Sequence, residues 1–84
     1  MPQEQCEAAK ADLERAQQLK IRLHREWDEA RERLAELQAA LPPDPKEIAA
    51  QEIAVENARK RFRAAEEKVT ECRDRVDTFC GDHL

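Results

Sequence analysis

The chain has 84 residues, 15 of them basic and 19 acidic, a net charge of −4, a single glycine and no tyrosine. That length allows one domain, and the intermixed charges exclude a general electrostatic drive toward nucleic acid or an anionic membrane. No apolar run nears the ~20 residues of a membrane span, and the 40% charged composition, rich in Ala, Glu, Arg, Leu and Gln, is that of long helices.

The opening Met1-Pro2-Gln3-Glu4-Gln5-Cys6-Glu7 lacks the basic start and apolar stretch of a secretory signal. A cytoplasmic location is the expectation, with export by a route using no cleaved signal left open.

From Cys6 the apolar residues fall at alternating steps of three and four: Cys6, Ala9, Leu13, Ala16, Leu23, Trp27, Ala30, Leu34, Leu37 and Leu41, with Lys20 the one polar interruption. This is the spacing of a coiled-coil seam. It predicts a first helix over residues 3–41, roughly 57 Å long at 1.5 Å per residue. Charges such as Glu26, Asp28, Glu29, Arg31, Glu32 and Arg33 fill the remaining positions, where the expected role is a solvated face with local ion pairs.

Leu41-Pro42-Pro43-Asp44-Pro45 ends this helix, because proline lacks the backbone N–H and its ring collides with the preceding turn. The residue before a proline is also pushed out of the helical region. The same stretch starts the next helix: Asp44 is an N-cap, Pro45 suits the first helical position, and Glu47 is placed to complete a capping box.

The seam rhythm resumes as Ile48, Gln51, Val55, Ala58, Phe62, Ala65, Val69, Cys72, Val76 and Phe79. A second helix over residues 45–80 follows, with Gly81 as its C-cap and Asp82-His83-Leu84 as a short tail. Folded back at the prolines, the two patterns match layer by layer. Leu37 meets Ile48, Leu34 meets Gln51, Trp27 meets Ala58, Leu23 meets Phe62, Ala16 meets Val69, Leu13 meets Cys72 and Cys6 meets Phe79. Large residues tend to face small ones, as filling an interior without voids requires. Across the flanks Asp12 is expected near Arg75, Glu26 near Arg61 and Arg31 near Glu52. The predicted fold is all-α: an antiparallel two-helix hairpin, a coiled coil with a Pro-rich turn at 42–45, that dimerises into a four-helix bundle.

The polar seam residues are Lys20, whose stem is expected to pack while its amine reaches water, and Gln51, which can fix register at some cost in stability. Cys72 falls in the core. Cys6 and Cys80 arrive together at the open end, where a disulfide and a pair of reduced thiols are the alternatives. A metal site from Cys6, Cys80 and His83 has no C-x-x-C or His-x-x-x-His spacing behind it. His24 is read as a surface histidine near Glu26 and Asp28.

No Gly-rich loop, Ser/His/Asp set or cofactor motif is present, and a two-helix rod offers no concave site to exclude water. The expectation is therefore no enzyme, no catalytic residue, no cofactor and no metal. Apolar residues off the seam point instead to a protein partner or a second copy. Ala39, Ala40, Ala49, Ala50, Ile53 and Ala54 group near the turn, and Leu19 and Ile21 lie midway along the first helix. The function read here is a protein–protein interaction module: an adaptor, chaperone or inhibitor. The alternatives are a nucleic-acid-associated factor using Arg59, Lys60, Arg61 and Arg63, and a structural or assembly subunit.

Overall fold

The computed structural model describes residues 2–81. Two helices, α1 (Pro2–Ala39) and α2 (Pro45–Cys80), pack against each other as a rod 63 × 18 × 13 Å. The described residues contain no strand. The tail Asp82-His83-Leu84 lies outside them.

The first helix stops at Ala39, two residues short of the predicted end. Pro42 is the cause: it displaces Leu41 from helical geometry, and the chain closes the last turn with a tighter bond from Ala40 N to Leu37 O at 3.4 Å. Leu41 is consequently no seam residue; it is 93% exposed. The Leu41–Pro42 peptide is cis.

The second helix starts where its cap predicts. An Asp44 carboxylate oxygen accepts from Lys46 N at 3.0 Å and Glu47 N at 3.3 Å, and Pro45 follows at the first helical position. No returning bond from the Glu47 side chain is among those described. At the far end Gly81 donates to Asp77 O at 3.1 Å with φ −68°, so the cap does not draw on glycine's left-handed freedom.

The seam forms along both helices. Ala16, Val69 and Cys72 are buried together with Leu13 packed against them, as the paired layers require. Among the described residues, Ala9, Ala16, Ala58, Phe62, Ala65, Val69 and Cys72 are buried. All of them lie between the Trp27–Ala58 layer and the open end. Toward the turn, Ala30, Leu34, Leu37, Ile48, Gln51 and Val55 are only half-buried. Phe79, at the last open-end layer, is 41% exposed.

Candidate protein-interaction surfaces

At the open end, Cys6 and Cys80 are joined by a disulfide with Cα atoms 4.8 Å apart. The two helices bring them together because the register that pairs Leu13 with Cys72 carries the chain to the same end two turns later. Cys72 remains a buried thiol.

Near the turn, Ala39, Ala40, Ala49, Ala50, Ile53 and Ala54 are all exposed. Ile53 shows 63% of its surface. In the heptad it occupies the position opposite the seam, so it points away from α1 with Ala49, Ala50 and Ala54 around it. Leu19 and Ile21 form no part of this patch. The register puts them roughly 18 Å further along the axis. They also lie on opposite flanks, since residues two apart on a helix do not share a face. Leu19 is half-buried, whereas Ile21 is 57% exposed.

Midway along the rod is an aromatic cluster that sequence reasoning passed over. The His24 ring stands edge-on to Phe62 at 5.0 Å and to Trp27 at 6.1 Å, and Trp27 lies 5.5 Å from Phe62. The guanidinium of Arg31 covers the Trp27 ring at 4.4 Å. Asp28 ties the cluster's polar rim, receiving Arg31 and standing 3.3 Å from His24 Nδ1. Trp27 Nε1 is buried without a hydrogen-bond partner among the described residues. The signal was present in the spacing: His24 directly follows the seam residue Leu23, which places it on the flank that looks across to Phe62.

The flank pairs divide. Arg61 lies 3.6 Å from Glu26 across the seam, as the register predicts. Arg31 pairs with Asp28 rather than Glu52, and Asp12 receives Arg15 rather than Arg75. In both cases an acid one turn away on the same helix is the nearer partner, and reaching it freezes less side chain.

The basic cluster is largely neutralised in place. Arg59 donates to both carboxylate oxygens of Glu56, at 3.0 and 2.6 Å. That bond holds the Glu56 carboxyl below its ordinary range and pushes the Arg59 guanidinium higher still. Arg63 donates to Glu66 at 2.8 Å, and Arg61 is drawn to Glu26. Three of the four cations are therefore committed to carboxylates, which disfavours a phosphate-binding face.

Among the described residues no group of three or more His, Cys, Asp or Glu is placed to hold a metal ion, and no helix is long and apolar enough to cross a membrane. His83 lies outside the described residues. Comparison with protein-family models, with curated proteins and with solved structures gives no match.

Proposed function

We propose that this chain is a non-enzymatic protein–protein interaction module, an adaptor, chaperone or inhibitor, and that its turn-proximal surface docks a second copy of the hairpin in a four-helix bundle. One observation carries the reading. On the turn half of the rod, where the seam contains no fully buried residue, the exposed Ile53 stands on the outer face of α2 among alanines. A lone pair of helices buries too little apolar surface for its size, and small residues allow another helix to approach closely while a bulky one anchors it.

The cytoplasmic location expected from the sequence belongs to the same proposal. Disulfides are rare in reducing compartments, so a cytoplasmic chain would hold Cys6 and Cys80 as thiols, while the oxidised hairpin fits an oxidising compartment.

Sedimentation velocity over a wide concentration range is the test. The parent chain is expected to pass from monomer to dimer as concentration rises, and Ile53→Glu to remain monomeric with its helicity kept. A parent that stays monomeric at the highest concentration overturns the dimer.

A further inference from the structure

On the flank that carries His24, the seam opens into a recess of about 220 Å³ bounded by Lys20, Ile21, His24 and Phe62. Its floor is Phe62, which is buried, and its apolar wall is Ile21, which is more than half exposed. Lys20 stands at the rim in a seam position. It is half-buried and makes no ion pair or hydrogen bond among the described residues. In the register Lys20 stands opposite Ala65, and the acid that follows it, Glu66, is held by Arg63. The acid nearest His24, Asp28, is shared with Arg31. The result is an apolar hollow with an uncompensated ammonium and an imidazole at its edge.

We propose that this recess docks one apolar side chain of a protein partner that also carries a carboxylate within a turn of that side chain. Size decides between a side chain and a free ligand. Small-molecule sites run to roughly 300–1,000 Å³ and enclose most of their ligand, whereas this hollow is smaller and opens to one side. Charge decides the neighbour. An ammonium partly withdrawn from water beside apolar surface gains most from an anion that covers the hollow as it binds. A side chain seated on Phe62 and Ile21 would displace water from both, which is where binding energy concentrates in interfaces. The inference rests on the reading of the chain as an interaction module, but it places the contact midway along the rod and independent of the turn.

The probe is a short acetylated peptide of alanine and glutamate with one central leucine, titrated into the full chain and followed by NMR. Two control peptides replace the glutamates by glutamine or the leucine by alanine. Resonances of Ile21, His24, Phe62 and the Trp27 indole are expected to move with the first peptide. Affinity should fall about five-fold with the glutamine peptide, and by the same factor in Lys20→Gln, as loss of one rim charge pair implies. The leucine-to-alanine peptide and Ile21→Ser should abolish the shifts. Ile21 is exposed, so its replacement leaves the fold intact, and helicity of Lys20→Gln is checked alongside. The proposal is overturned by unmoved recess resonances, by equal affinity for the acidic and glutamine peptides, or by recess shifts produced by concentrating the protein alone, which would make a second copy the occupant. Shifts at Ile53 in place of the recess would also overturn it while leaving the interaction-module reading standing. A monomeric parent that still binds the acidic peptide would retain the recess and discard the dimer.

Discussion

The side-chain amide of Gln51 crosses the seam and donates to the backbone carbonyl of Ala30 at 3.0 Å. Gln51 lies opposite Leu34, and the Ala30 carbonyl is one turn back along α1, so the bond is satisfied only when the two helices hold this register. A polar residue in an apolar seam thus acts as an alignment device, and it does so without leaving its amide unpaired. Gln51→Ala is expected to cost about 1 kcal/mol, the usual net value of such a bond. Urea unfolding gives the measurement; an unchanged midpoint would show that the bond contributes nothing.

Ala58 is buried opposite Trp27. Adding three heavy atoms there, in Ala58→Leu, should overpack the layer and destabilise by about 1–3 kcal/mol. The comparison is Ala64→Leu, at an exposed site on the same helix, which should melt within about 0.5 kcal/mol of the parent. Similar melting of both variants would place Ala58 outside the core.

Oxidation should join Cys6 to Cys80 and leave Cys72 as the remaining thiol. Cys72 is 1% exposed, and thiol reactivity needs an accessible thiolate. Alkylation of the oxidised chain should therefore be slow until denaturant separates the helices. The bridge spans 74 positions; the chain-entropy model gives about 4 kcal/mol for constraining a loop of that size, and reduction should lower the unfolding free energy by that order. Mass mapping that found a Cys72–Cys80 bridge would contradict the pairing of the helices.

Acid should weaken the Glu56–Arg59 pair within α2. Glu56 ionises more readily in the folded chain than in the unfolded one because Arg59 donates to it. A depressed carboxyl stabilises the fold above its unfolded value and loses that contribution as pH falls through its folded value. Melting temperature should therefore decline on acidification below the ordinary value of 4.5. Glu56→Gln should show a shallower decline over that window, with the difference small because the pair is exposed. Parallel acid limbs for the two proteins would remove Glu56 from the account.

Much of this architecture is legible from spacing alone. Heptad steps place Leu13, Ala16, Val69 and Cys72 in one cluster before any coordinate is known, because burial repeats with the turn of the helix. Asp44 is equally legible, since a cap is a local bond between a side chain and backbone two or three residues away. The misread features are decided by competition between near-equal partners. Arg31 has Asp28 on its own helix and Glu52 across the seam, and spacing does not rank them. The end of α1 depends on how far the proline effect propagates back from Pro42. The recess was hidden because its members come from both helices, and because Lys20 reads in sequence as a seam defect rather than as one edge of a hollow.

The bridge at one end and the prolines at the other make the paired region a covalent ring. Tension applied outside Cys6 and Cys80 runs through sulfur and never loads the interface between the helices, so pulling on the two ends does not unzip the rod. With the open end fastened, parting of the two helices in the oxidised chain is expected toward the turn, where Leu34, Leu37, Ile48 and Val55 are only half-buried. The hairpin is thus a one-way clasp: fastened where its strands arrive, and expected to yield toward its bend.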